Sequence, residues 1–470
     1  MSYRNQSEVE APLWPALAVT SFAVFAAALD ATVLFVAFPD VQASFPLVSL
    51  AELSWVLNAY TIVFAALLIP MGRFADRLGR RRVFSAGVVV FTVGSALSGL
   101  APSAGLLIAF RIVQAIGAAT VVPASLALVL GAFPQSRRSA AVGIWAAVGA
   151  VAAALGPSLG AVVVEAASWR WTLFLNIPLG MLTLLAIPRV LTESRDPDAT
   201  PPAITGVVLL VAGVAALALG IVQGDEWGWT DPRILAALTA ALILISLFMR
   251  STRRASNPAI DLSLFDDRNY RYANLAMLVF GVAFAAMFLG FVLFLTGVWG
   301  YSILEAGLAI TPGPVMVAAV APFAGRLAGH RGHRVILLPG TVLYTISSLW
   351  LLTATATPDF TGVWLPSVIV GGLGVGMVLP ALTGSAVQSL PEIRFGVGSA
   401  INQAVRQIGG VFGVAAVVAF LTAATTGPDL HAGFDKVFLL VAAGGAVTGG
   451  LSTQINTKPR HKTRDRQGDQ

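Results

Sequence analysis

One acid and one base stand where apolar sequence should exclude both. Asp30 lies inside the apolar run 16–38, and Arg111 lies inside the run 104–130. An ionisable group at mid-bilayer costs about 2.5–3.5 kcal/mol on insertion scales, so a chain that keeps one pairs it or uses it. Asp30 is eight residues from the end of its run, about 12 Å deep at 1.5 Å per residue. Arg111 is seven residues from the start of its own, about 10 Å deep measured from the same side. The two share a depth and can pair if their helices touch. Burial favours the neutral acid and a neighbouring guanidinium favours the carboxylate. Asp30 would then carry a coupling proton that a movable Arg111 switches; a fixed pair would only orient two helices. Both readings stand at this point. Gln114 and Ala118 continue the helical face of Arg111. In the run 398–421, Ser399, Asn402, Gln403, Arg406 and Gly410 form a polar stripe at helical spacing. Such a stripe should face a cavity or another helix rather than lipid. Asn58, Tyr60 and Trp145 are further candidates for a substrate cavity, with Gln114, Asn402, Gln403 and Arg406.

Other chemistries find no residues to carry them. The 470-residue chain has no Cys, which removes disulfides, thiolate nucleophiles and Cys-ligated zinc. The four His (His330, His333, His431, His461) all fall in polar segments, which argues against a membrane-buried metal. None of the three Lys sits in a G-x-x-x-x-G-K-[ST] phosphate loop. A membrane-embedded acyltransferase or hydrolase would want His, Cys or paired acids at membrane depth. No enzyme, metal or organic cofactor is expected, and a proton gradient is the expected energy source. A channel or a non-transporting sensor is not excluded in this way.

These groups need helices to hold them, and composition says where those helices lie. Hydrophobic residues make up 57% of the chain and charged residues 11%, against about 25% in soluble domains. Too few charges remain to cover a soluble surface, which excludes a cytosolic enzyme, a nucleic-acid binder and a disordered chain. The sequence predicts an all-α polytopic membrane protein with 14 spans, at 16–38, 54–72, 83–101, 104–130, 140–163, 171–191, 203–222, 234–249, 272–297, 306–325, 335–354, 364–385, 398–421 and 435–453. Of the 29 Lys and Arg, only Arg170, Arg233 and Lys436 then fall on one side, and Arg111 and Arg406 lie within spans. The remaining 24 share the other side, which the positive-inside rule makes cytoplasmic, together with both termini. The net charge of +6 is thus a topology signal rather than a nucleic-acid footprint.

The chain also repeats itself. Gly72–Val83 reads GRFADRLGRRRV and Gly325–Ile336 reads GRLAGHRGHRVI. Gly, Arg, Ala, Gly and Arg coincide at an offset of 253 residues, each copy closing the second span of a half. That offset is eight spans, two more than a six-span half. The expected organisation is a six-helix bundle in 1–200, two extra spans in 201–252, a connecting segment in 253–271, a second six-helix bundle in 272–453 and a basic tail in 454–470. Repeated halves around a central site are how secondary transporters are built.

Taken together, these segments resemble the major facilitator superfamily, specifically its 14-span drug:proton antiporters. The similarity runs through LDATVLFVAFP around Asp30, the loop Gly72–Arg82, LIAFRIVQAIGAA (Leu107–Ala119), GAVAAALGPSLGA (Gly149–Ala161), WRWTLFLNIPLG (Trp169–Gly180), PAIDLSLF (Pro258–Phe265), GGLGVGMVLP (Gly371–Pro380) and INQAVRQIGGVFG (Ile401–Gly413). The chain departs from the pattern at Phe35, where Asn is usual, at Ala115 and Ala161, where Gly is usual, and at Gly329, where the second loop copy would carry Asp. The resemblance implies a major facilitator fold with Asp30 and Arg111 coupling protons. It makes Gly72, Arg73, Asp76, Arg77, Gly79, Arg80 and Arg81 a cytoplasmic gate, in which Asp76 can cap a helix N-terminus. It makes Gly149, Gly156, Pro157 and Gly160 an exporter motif, which can equally be a packing face. The implied protein is a monomeric, multi-pass inner-membrane antiporter whose partners are lipophilic small molecules, protons and membrane lipids, not nucleic acid. A lipid or lipid-precursor exporter is the nearest alternative.

Overall fold

Fourteen helices long and apolar enough to cross a membrane run through the computed structural model. It describes residues 13–196, 204–255, 262–388, 390, 394–424 and 427–456. Arg4, most of the basic tail and the start of the PAIDLSLF segment lie outside the described residues. Spans 1 to 6 are Leu13–Ser44, Leu50–Leu78, Arg80–Gly99, Ala104–Ala132, Ala141–Ala166 and Trp169–Val190. Spans 7 and 8 are Ile204–Val222 and Pro232–Arg254. Spans 9 to 14 are Arg268–Gly297, Ile303–Arg331, Arg334–Leu351, Phe360–Gln388, Val397–Thr422 and Leu430–Ser452. Every predicted run is a helix. Several extend further than hydropathy alone marks, because polar side chains cap their ends. Ser49 and Ser103 accept from the backbone N–H of Glu52 and Leu106, and Ser302 with Glu305 forms a reciprocal capping box.

Proline sets two breaks that hydropathy does not show. In span 6 the helix interrupts at Leu175, where Pro178 offers no N–H to the carbonyl four residues back. In span 10 it interrupts at Thr311, just before Pro312 and Pro314.

The two halves repeat their packing as well as their sequence. Span 1 packs against spans 4, 5 and 6, span 4 against spans 2 and 3, and span 3 against span 6. The same pattern returns as span 9 against 12, 13 and 14, span 12 against 10 and 11, and span 11 against 14. Gly79 and Gly332, at the 253-residue offset, both turn the chain with positive φ, at 114° and 94°. A side chain is strained in that region, which explains why both copies keep glycine. Between the halves, span 2 meets span 13 and span 5 meets span 10. Span 7 packs on both span 2 and span 13, and span 8 packs on span 7.

Candidate functional site

The deepest polar cluster lies inside the first half, where spans 1, 4 and 6 converge. Asp30 and Arg111 meet there, with Arg111 Nη1 2.7 Å from Asp30 Oδ2. Both are almost wholly buried, at 3% and 1% exposure. Gln114 Nε2 donates to Asp30 Oδ1 at 2.9 Å, and Arg111 Nη1 also donates to Gln114 Oε1 at 2.6 Å. The i, i+3 spacing of Arg111 and Gln114 thus places both on one carboxylate. Tyr60 of span 2 lays its ring against Arg111, 4.0 Å from guanidinium carbon to ring centre. Arg111 Nε points to the carbonyl of Val56 at 3.5 Å.

A third donor completes the carboxylate. Asn176 Nδ2 donates to Asp30 Oδ1 at 2.9 Å and reaches Ser95 Oγ of span 3 at 3.0 Å. Ser95 in turn donates to the carbonyl of Leu173 at 2.8 Å, at the break in span 6. Neither Asn176 nor Ser95 stood out as a site residue in the sequence. The available signal was a lone Asn in the apolar stretch WTLFLNIPLG, beside the proline that breaks the helix. A buried carboxylate with a guanidinium and two amides on it is fully paired in its ionised form. Arg111 also has other acceptors, Gln114 Oε1 and the Val56 carbonyl, and an aromatic face. Its charge therefore stays solvated by protein if Asp30 takes up a proton.

The other candidates divide. Gln403 and Arg406 stay partly accessible and bond to each other, Arg406 Nε donating to Gln403 Oε1 at 3.3 Å. Asn402 does not open on a cavity. It is 1% exposed and donates to Asn274 Oδ1 of span 9 at 3.1 Å, so this part of the stripe is a helix–helix contact. Asn58 is also fully buried. It shares a helical face with Ala51, Trp55 and Ile62, which pack on spans 7 and 13. Trp145 is tied to span 4 through Nε1 to Ser125 Oγ at 3.1 Å. Asn402 and Trp145 are thus satisfied across helices, whereas Asn58 bonds within its own helix to Ser54 Oγ at 3.4 Å and its buried Oδ1 finds no partner; spacing alone cannot separate these cases from lining a cavity.

A profile of the Major Facilitator Superfamily matches residues 20–414 of the chain. The chain belongs to the major facilitator superfamily. It is 35% identical to the multidrug resistance protein Stp of Mycobacterium tuberculosis, over 88% of this chain and 78% of that one. It is 31% identical to the tetracenomycin C resistance and export protein of Streptomyces glaucescens, over 88% and 77%. It is 33% identical to the cephamycin export protein CmcT of Amycolatopsis lactamdurans, over 91% and 89%.

Two further segments of this facilitator chain take definite geometry. The glycines of the span-5 segment let it press onto span 1. A Cβ at Gly156 would run into Thr32, one at Gly160 would lie 3.0 Å from Val33 Cγ1, and one at Gly149 would touch Val24. Pro157 lies between the two tightest positions. Phe35 packs edge-on against Phe288 of span 9, at 5.7 Å between ring centres, so an apolar contact between the halves stands where Asn is usual.

In the loop after span 2, Asp76 accepts from Arg80 Nε at 2.9 Å and caps no helix. The capping carboxylate is Glu193, which accepts from the N–H groups of Arg81 and Arg82 at 3.1 Å each. A Cβ at Gly79 would sit 2.8 Å from Glu193 Oε1, so glycine is also what lets that carboxylate approach. The loop is further pinned by Arg80 N–H to the Ser194 carbonyl at 2.9 Å and Asp196 N–H to the Asp76 carbonyl at 2.7 Å. These contacts of Asp76, Gly79 and Arg80–Arg82 stay within the first half. Gly72 packs on Pro123 of span 4, and Arg77 is exposed.

Proposed function

We propose that this chain exports lipophilic small molecules of the antibiotic or drug class in exchange for protons, by alternating access. The observation that carries the reading is the buried Asp30 with its three donors, in a chain whose relatives are named for drug resistance and antibiotic export. Protonation of Asp30 removes the ionic pairing to Arg111 and weakens the hold of spans 4 and 6 on span 1. Deprotonation restores it. The charge that moves is small and the elements it joins are rigid, which suits a two-state rearrangement.

The contacts between the halves support one arrangement. Contacts between spans 5 and 10 lie where span 5 ends and span 10 begins. There Ser158 and Thr311 share a hydrogen bond of 2.7 Å, and Gly307 lies against Ala161 and the Pro157 carbonyl. Toward the opposite ends both helices are exposed, at Gly143, Ile144, Ala146, Ala147, Ala318, Ala319, Pro322 and Phe323. With the termini cytoplasmic, as the charge bias predicts, the contact lies at the outer ends, which supports an inward-open form. The contacts of Asp76 and Arg80–Arg82 within their own half agree with an open inner gate.

One proton crossing about 100 mV supplies about 2.3 kcal/mol. A pH step of one unit adds about 1.4 kcal/mol. Together these sustain about a 500-fold gradient of a neutral substrate per proton. The test is drug-linked proton flux in proteoliposomes, wild type beside Asp30→Asn. The variant should insert normally and lose pH-driven transport. Undiminished pH-driven transport would remove Asp30 from the mechanism.

A further inference from the structure

The internal repeat exposes a site that one half fills and the other leaves open. At the 253-residue offset, Arg81 at the start of span 3 corresponds to Arg334 at the start of span 11. In the first half, the chain leaving span 6 brings the Glu193 carboxylate onto the N–H groups of Arg81 and Arg82. In the second half, the chain leaving span 14 lies beside Arg334, and its described residues there bring no acid. It presents Thr453, Gln454 and Asn456. Together with Arg268, Asn269 and Arg334 these residues line a cavity of about 380 Å³. No carboxylate is among its described lining residues. The nearby Asp267 is the N-cap of span 9, accepting from the Tyr270 N–H at 2.7 Å.

The cavity wall is built rather than loose. Asn269 Nδ2 donates to the Asn456 carbonyl at 3.1 Å, and the Asn456 N–H donates back to Asn269 Oδ1 at 2.8 Å. Arg268 Nη2 donates to Gln454 Oε1 at 2.6 Å, which holds that guanidinium at the rim. His333, the N-cap of span 11, makes no side-chain cap bond; the Ile336 N–H donates to the His333 carbonyl at 3.0 Å, and the N–H groups of Arg334 and Val335 have no partner among the described contacts.

We propose that this cavity binds the phosphate headgroup of an anionic phospholipid, which supplies in the second half the negative charge that Glu193 supplies in the first. Two guanidiniums, amide donors and a helix N-terminus are the donor set that phosphate oxygens take. The choice of a lipid over a soluble phosphate follows from place. Spans 9 and 11 begin and span 14 ends at this cavity, at the level where headgroups lie. Like Glu193 on spans 3 and 6, the lipid would tie span 11 to span 14 and span 9.

The purified full chain is titrated with phosphatidylglycerol and with phosphatidylcholine, reading bound lipid by native mass spectrometry and stability by thermal melting. The chain should retain phosphatidylglycerol preferentially and melt higher with it. Arg268→Gln and Arg334→Gln should each weaken that binding about fivefold, and the pair about 25-fold. Gln454→Glu installs the missing carboxylate. It should abolish the lipid-dependent rise in melting temperature without lowering the lipid-free value, which keeps the test valid if an arginine variant folds poorly. Unchanged phosphatidylglycerol binding in the double variant and in Gln454→Glu would overturn the site. Equal competition by inorganic phosphate at the same concentration would overturn the lipid assignment.

Discussion

The two seams between the halves are related by the repeat, yet they are built differently. Spans 2 and 13 are packed through two apolar clusters that span 7 completes. Ala51 meets Val222, Ala415 and Val418, and Ile62 meets Val214, Ala218 and Val411. Outside the clusters, the loop after span 7 reaches back to span 2, where Ser49 Oγ and Glu226 Oε2 lie 2.9 Å apart. Spans 5 and 10 have no such cover among the described contacts, and Ser158, Ala161, Gly307 and Thr311 join them where span 5 ends and span 10 begins. A seam covered by a third helix resists separation more than a bare one. Both seams reach the buried pair: Tyr60 and Val56 of span 2 touch Arg111, and span 5 presses on span 1 beside Asp30. Asp30 is two residues from Thr32 and three from Val33, which press on Gly156 and Gly160, and Pro157 and Ala161 beside them press on Gly307. The pair of added spans thus makes a symmetric design asymmetric, covering one seam and leaving the other bare.

The sharpest way to break this contrast is to lock the bare seam. The chain has no Cys, so Ser158→Cys with Thr311→Cys introduces the sole thiol pair. The two hydroxyls are 2.7 Å apart, close enough for a disulfide. The oxidised protein should lose transport and the reduced protein should recover it; activity of a fully cross-linked sample would show that this seam need not open. Next in size is Gly156→Val, which forces a branched side chain into Thr32. Overpacking of this kind costs about 1–3 kcal/mol, to be read as a lower melting temperature together with reduced pH-driven transport. Normal values of both would separate the glycine from the packing of spans 1 and 5.

Gly307→Ala is milder. Its methyl group would meet the Ala161 side chain and the Pro157 carbonyl, and should disfavour the closed end of the seam by about 1 kcal/mol. Labels at the ends of spans 5 and 10 would report a larger mean separation, and an unchanged distance distribution would refute the contact's role. The smallest effect belongs to the covered seam. Glu226→Gln keeps a side-chain partner for Ser49 at an exposed position and should change stability by less than about 0.5 kcal/mol. A larger loss of stability or transport would mean that the strap over spans 2 and 13 matters more than their apolar packing.

Legibility in the sequence followed the physics of each residue. Asp30 and Arg111 were readable because charge in an apolar run is costly enough to be rare, and helical rise fixed their common depth. Gln114 followed from periodicity. Asn176 did not, because it reaches Asp30 from a helix break that depends on where Pro178 and span 3 lie. Glu193 was hidden for the same reason. An acid in a polar loop looks ordinary until the fold sets it on another helix's N-terminus. The stripe on span 13 shows the reverse limit, since spacing marked Asn402 and Gln403 alike while packing gave Asn402 to Asn274.

By itself, the sequence determined the number of spans and the duplicated halves, because hydrophobic length and repeated glycine turns are local properties. It also determined which charges enter the membrane. The tertiary structure alone decided which donors gather on Asp30, which carboxylate caps span 3, and which of two related seams a third helix covers. Those are contacts between residues far apart in the chain, and no local pattern specifies the partner across a helix interface.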